Sequence, residues 1–153
     1  MGKVERVGVV DFRRIGQFID GQAFLNGEEI LYLMMKQQLE LIVDDFSLSI
    51  HEAVSLVQST VSAKYCEIYS ELKRLGFCVF RKQINKSFFV HYGENFKRKS
   101  IPDFEVNVCE NSTFDIPDAI DKNIKTILAI YDKEQIIWQE LSFETIDLRH
   151  HSP

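Results

Sequence analysis

The chain has 153 residues with 45% hydrophobic content, enough for one domain of ordinary size or two small ones sharing an interface. A formal net charge of −5 excludes a molecule drawn to nucleic acid over its whole surface, so any RNA contact has to be local. No run of about 18 apolar residues is present to span a bilayer, and MGKVERVGVVDF lacks the apolar core and cleavage site of a secretory signal, so the expectation is a soluble, intracellular protein.

Val4 to Val10 and Gln17 to Leu25 read as short strands of a small sheet, with Asp20-Gly21 supplying a tight positive-φ turn. Asn26-Gly27-Glu28-Glu29 offers an N-cap and a carboxylate three positions on. Ile30, Leu31, Met34, Met35, Leu39 and Ile42 then mark one helix face, with the methionines as core filler. Ser49-Ile50-His51-Glu52 is a second capping box, opening a helix lined by Ile50, Ala53, Val54 and Val57. Residues 58–61 make a break too short and too apolar for free domain motion.

From Ser62, Tyr65, Ile68, Tyr69, Leu72 and Leu75 recur at helical spacing against polar Glu67, Ser70, Glu71 and Lys73. Gly76 stands where a left-handed helix stop is wanted, with Phe77 placed to complete a Schellman ending and Lys73 and Arg74 facing the negative end of the helix dipole. Residues 77–80 are aromatic and β-branched enough for a buried strand. Gln83 to Pro102 is a polar, basic excursion carrying one strand, Ser87 to Tyr92. Asp103 to Val108 alternates polar and apolar residues, which predicts a half-buried strand, and the acidic, Pro117-containing stretch from Glu110 to Asn123 reads as loop. Thr126 to Tyr131 and Ile136 to Leu141 close the chain as a hairpin about Asp132-Lys133-Glu134-Gln135.

Cys66, Cys78 and Cys109 are odd in number and widely spaced, which points to free thiols in a reducing compartment. His51 falls on a helix, His91 on a strand and His150-His151 in a tail, so no metal site is expected. The chain also lacks a Gly-rich phosphate loop, a CxxC pair and an HExxH, and no cofactor is implied. His91 and Tyr92 beside Lys97 contain the residue types for metal-free RNA cleavage. Adjacent strand residues point to opposite faces, which keeps the pair out of one pocket unless a bulge intervenes.

Three strings, EEILYLMMKQQLEL, LSIHEAV and YCEIYSELKRLGFCVFRK, resemble in order and spacing the large structural subunit of the eukaryotic tRNA-splicing endonuclease, conventionally numbered fifty-four. The tail KTILAIYDKEQIIWQELSFETIDL is similar to the closing strand-loop-strand of the wider endonuclease superfamily. The resemblance implies an α/β protein: an N-terminal α+β module at residues 1–60, then a degenerate endonuclease-like α/β domain with a mixed sheet at 61–153. It also implies a role without catalysis. Catalytic members carry a tyrosine, a histidine and a lysine; here Asn107 stands nearest the tyrosine place, no histidine lies between it and Lys125, and only Lys125 matches. One lysine cannot both deprotonate a ribose hydroxyl and protonate a leaving oxygen.

The implied function is therefore assembly of the catalytic and structural subunits of that endonuclease and placement of pre-tRNA, in the nucleus or the cytoplasm. Candidate phosphate contacts are Arg74, Arg81 and Lys82, with Lys97, Arg98 and Lys99. Asp132 and Glu134 lie where structural subunits of the family carry an acidic loop that enters a basic groove, although an ordinary polar hairpin turn would look the same. Ile136 and Trp138 would belong to the partner interface, with Trp138 either an interface anchor or a core tryptophan. A free-standing RNA-cleaving enzyme of this fold, or an adaptor that kept the fold and binds protein alone, are the alternatives.

Overall fold

A computed structural model describes residues 3–8, 10–94, 96–98, 100–109 and 123–141. In chain order these form strands β1 (Lys3–Arg6), β2 (Gln17–Ile19) and β3 (Gln22–Phe24), helix α1 (Gly27–Met35), strands β4 (Leu39–Val43) and β5 (Phe46–Ser47), and helices α2 (Ile50–Gln58) and α3 (Ala63–Arg74). Strands β6 (Cys78–Gln83), β7 (Ser87–His91), β8 (Phe104–Cys109), β9 (Lys125–Asp132) and β10 (Gln135–Leu141) follow. The fold is α/β, as the resemblance implies, and its five-stranded sheet is mixed: in the order β10-β9-β8-β7-β6, β8 and β9 run parallel and every other pair antiparallel.

The N-terminal elements follow the local chemistry in part. Asp20 and Gly21 both have positive φ, the geometry of a two-residue turn whose twist suits a hairpin, and they join β2 to β3. These two strands form a sheet of their own, whereas β1 pairs with β4 and stops at Arg6. The helix face expected to run from Ile30 to Ile42 is divided. Helix α1 ends at Met35, and Gln37 takes a left-handed φ of 57°, so that the Gln38 amide reaches the Leu33 carbonyl and the Gln37 amide that of Met34. Leu39 and Ile42 are therefore strand residues, and Leu39 and Leu41 point inward about the outward Glu40. A Schellman stop without glycine leaves no mark in composition, but the Leu-Glu-Leu alternation marks the strand.

Both remaining helices start as their caps dictate. The Ser49 hydroxyl accepts from the Glu52 amide while the Glu52 carboxylate accepts from the Ser49 amide, worth about 1 kcal/mol. The Ser62 hydroxyl accepts from the Tyr65 amide. At the far end of α3, Phe77 donates to the Leu72 carbonyl and Gly76, at φ 95°, to that of Lys73, which completes the Schellman ending. Tyr65, Ile68, Tyr69 and Leu72 are buried as the stripe predicts. Leu75 is not part of it: it caps the helix and stands 51% exposed.

Helix α3 covers one face of the large sheet. Tyr65 stacks on Phe88 at 4.0 Å between ring centroids, and Val79, Val90, Val106 and Ala129 complete that layer. The same buried cluster continues through Leu31, Leu33, Leu41 and Val57 of the N-terminal elements. β8 lies at the centre of the sheet, which is why the alternation expected to leave it half-buried instead gives Phe104, Glu105 and Val106 all under cover. The loop expected at Glu110 to Asn123 lies, apart from Asn123, outside the described residues, as do the tail histidines.

A candidate nucleic-acid and partner interface

The basic residues singled out by sequence separate into distinct environments. Arg81 on β6 donates to both carboxylate oxygens of Glu28 on α1, at 3.0 and 2.5 Å. Glu28 is 1% exposed, so its charge is held in the interior by this one guanidinium. Tyr65 lies against the pair and donates its hydroxyl to the Ser87 carbonyl; burial, with the Glu28 charge, pushes the phenol far above its ordinary range. Cys66 is pushed up to about 11, mainly by burial, and is a packing residue at neutral pH. Next to Glu28, Glu29 accepts from the amides of Asn26 and Gly16, both at 2.7 Å, and burial raises its pKa despite those bonds.

The other candidates lie nearer the surface. Arg74 forms an (i, i+3) pair with Glu71 in the last turn of α3, an arrangement that contributes little to stability when exposed. Lys82 crosses the second face of the sheet to Glu105 at 2.8 Å, with its ammonium over the Phe89 ring. Arg98 donates to the carbonyls of Phe12 and Gly16 and lies over Phe80, which ties the 93–103 excursion to the N-terminal loop. Lys97 is exposed, and its carbonyl accepts from Ser100. Lys82, Lys97 and Arg98 thus belong to one side of the molecule, while Arg81 faces the interior and Arg74 projects from the helix end. Lys99 lies outside the described residues.

On the same side, a cleft of about 960 Å³ is lined by Phe18, Phe80, Phe89, His91, Arg98 and Ser100 among others. His91 is buried between Phe80 and Phe96, with Nδ1 3.3 Å from the Ser100 hydroxyl, and burial lowers its pKa. Tyr92 turns to the opposite face, against Phe77 and Phe104. The two residues do not share a pocket, as strand alternation requires. Asn107, the position expected to stand nearest a catalytic tyrosine, leaves its buried amide nitrogen without a partner among the described residues, and Lys125 forms an ion pair with Glu140 at 3.3 Å.

The closing hairpin forms the edge of the large sheet among the described residues. Lys133 and Glu134 both have positive φ, so Asp132-Lys133-Glu134-Gln135 is a two-residue turn with Asp132 opposite Gln135. Asp132 and Glu134 are exposed at its tip. Along β10, Ile136 packs against the core, whereas Ile137 and Trp138 stand 44% and 38% exposed. Tyr131 anchors the adjacent end of β9 to α3 by donating to Glu67, with Lys64 over its ring. An edge strand carrying isoleucine and tryptophan in solvent offers backbone pairing groups and apolar area together.

Sequence reasoning missed two groupings. Glu28 lies three residues before Leu31, on the inward side of α1, and a glutamate at that spacing is the signal of a buried partner on another element. Arg14, Lys36 and Lys73 converge from three separate places, and spacing carries no trace of that.

No family model matches the chain. Over 76 residues it is 36% identical to the mouse (Mus musculus) protein tRNA-splicing endonuclease subunit Sen54, a match covering 48% of this chain and 14% of the mouse protein. The matched part is thus a small fraction of that relative's length.

Proposed function

We propose that this chain is a non-catalytic structural subunit of a tRNA-splicing endonuclease complex, supporting assembly of the catalytic subunits and placement of pre-tRNA for intron excision. The observation that carries this reading is its similarity to the mouse endonuclease subunit. The edge strand β10 supports it: Asp132 and Glu134 would meet a basic groove, and Trp138 would be covered by a partner strand, while Ile136, also expected at that interface, packs against the core of this chain. Residues 1–60 would serve as the N-terminal module and 61–153 as the endonuclease-like domain. The asparagine at 107 supports a role without chemistry of its own.

For pre-tRNA, the ion pairs of Arg74, Arg81 and Lys82 shift the weight of the proposal toward Lys97, Arg98 and Lys99. Arg98 also holds the N-terminal loop, so Lys97→Ala with Lys99→Ala is the cleaner variant. Co-expression followed by pull-down and mass spectrometry tests the assembly. Catalytic endonuclease subunits and a second small structural subunit are expected in the purified complex, and a chain recovered without them rules the reading out. Lower pre-tRNA affinity of the lysine variant in an intact complex, with a shallower salt dependence, is the matching result for RNA. Cleavage of pre-tRNA by the isolated chain would instead favour a free-standing enzyme.

A further inference from the structure

A second cleft, of about 350 Å³, opens on the α1 side of α3 and is lined by Asp11, Arg14, Tyr32, Lys36, Lys73 and Phe77 among others. Its cations come from three elements: Arg14 from the segment between β1 and β2, Lys36 from the cap of α1, and Lys73 from the last turn of α3. Both ammonium groups lie against the Tyr32 ring, Lys36 Nζ at 5.2 Å and Lys73 Nζ at 5.8 Å from its centroid. Arg14 is fixed by donating to Cys78 Sγ at 3.1 Å and to the Gly93 carbonyl at 3.3 Å.

None of these three cations is in an ion pair among the described residues, although five others are. The carboxylates nearby are committed. Asp11 takes both bonds from Arg13, and Glu29 is engaged by the amides of Asn26 and Gly16. Positive charge is thus gathered at one cleft without a direct ion pair among the described residues, in a protein whose net charge is −5. Burial pushes the Lys73 ammonium below its ordinary range; the Arg14 and Lys36 charges act in the same direction, and Cys78 and Glu29 act the other way. An anion entering the cleft would reverse that.

We propose that the cleft formed by Arg14, Tyr32, Lys36 and Lys73 binds a phosphomonoester-type anion, of the kind carried by a free phosphate compound or by the terminal phosphate of an oligonucleotide. Three convergent cations match a group of charge near −2 better than the single charge of a phosphodiester. Lys73 is half-buried within the cleft, so a terminal phosphate reaches it where a diester flanked by two sugars does not. This proposal does not rest on the tRNA-splicing reading, since neither assembly nor splicing enters its test.

The experiment is calorimetric titration of the full chain with inorganic pyrophosphate at low ionic strength, using wild type, Lys36→Gln, Lys73→Gln and Lys86→Gln. One-to-one saturable binding is expected, weakened roughly tenfold by Lys36→Gln and by Lys73→Gln and unchanged by Lys86→Gln. Lys36 is exposed at a helix end, so its variant stays informative even if Lys73→Gln disturbs packing. Absence of saturable binding, or equal weakening by Lys86→Gln, overturns the proposal. Titration with a short oligonucleotide bearing a 5′ phosphate or a 5′ hydroxyl then separates the sources. A gain from the phosphate identifies a nucleic-acid end, and equal affinities identify a free phosphate compound.

Discussion

Arg81 on β6 and Glu28 on α1, 53 positions apart in sequence, join the N-terminal helix to the large sheet through a two-bond ion pair whose carboxylate is 1% exposed. Removing one partner leaves the other charge desolvated. Arg81→Met and Glu28→Met are each expected to lower unfolding free energy by about 3–5 kcal/mol, and the double variant by much less than the sum. Urea denaturation of the three variants measures this, and additive losses would show that the residues are not coupled.

The helix stop at Gly76 and the bend at Gly93 should differ in tolerance. A Cβ at Gly76 meets nothing within 4 Å, so Gly76→Ala carries only the left-handed conformational cost of about 1 kcal/mol. A Cβ at Gly93 would fall 2.3 Å from the Gly76 carbonyl oxygen and 2.5 Å from an Arg14 guanidinium nitrogen. Gly93→Ala is therefore expected to cost more, about 2 kcal/mol or above, by forcing the backbone apart. Thermal unfolding of both variants gives the order.

His91 sets a pH dependence of known sign. Burial among Phe80, Phe96 and Ser100 lowers its pKa from the ordinary 6.5, while the Asp103 charge acts weakly the other way. The unfolded chain then takes up the proton first as pH falls. The contribution of neutral His91 is fully present above about pH 6.5 and is lost as pH drops through the lowered folded value. Unfolding of His91→Gln measured between neutral pH and pH 5 should show a shallower decline than wild type, and parallel slopes would assign the dependence to other groups.

Trp138 is the single tryptophan of the chain and stands 38% exposed on the edge strand, so its emission reports on whatever covers β10. Binding of a partner strand should shift that emission to the blue, and Trp138→Ala should weaken the complex by about 2 kcal/mol. Asp132→Lys with Glu134→Lys alters exposed positions and should change stability by less than about 0.5 kcal/mol, while reducing association in a salt-dependent way. Unchanged association at every salt concentration would remove the acidic turn from the interface.

Local signals read correctly wherever the chain decides its geometry within one turn. The Ser49-Glu52 and Ser62 caps are set by side chains acting on backbone three residues away, and the Gly76 stop and the Asp20-Gly21 turn by positive-φ backbone at those positions. The α1 end was not legible, because Gln37 adopts a left-handed conformation that its residue type does not advertise. The basic residues misled for a related reason. Arg81 and Lys82 stand side by side in sequence, but alternation sends Arg81 to Glu28 on one side of the sheet and Lys82 to Glu105 on the other.

What the sequence determined by itself is most of the elements from α2 onward, the stripe of α3 from Tyr65 to Leu72, the absence of a tyrosine at 107 and the strings that resemble a splicing-endonuclease subunit. Periodicity, capping and residue identity are local, and they survive without knowledge of the fold. Only the tertiary structure decided which charges are spent on the interior and which remain available. It also decided that Arg14, Lys36 and Lys73 meet at one cleft and that β10 lies at the sheet edge among the described residues. Those outcomes depend on distances between residues far apart in the chain, which the packing of α1 against α3 and the order of the five strands fix and the linear pattern does not carry.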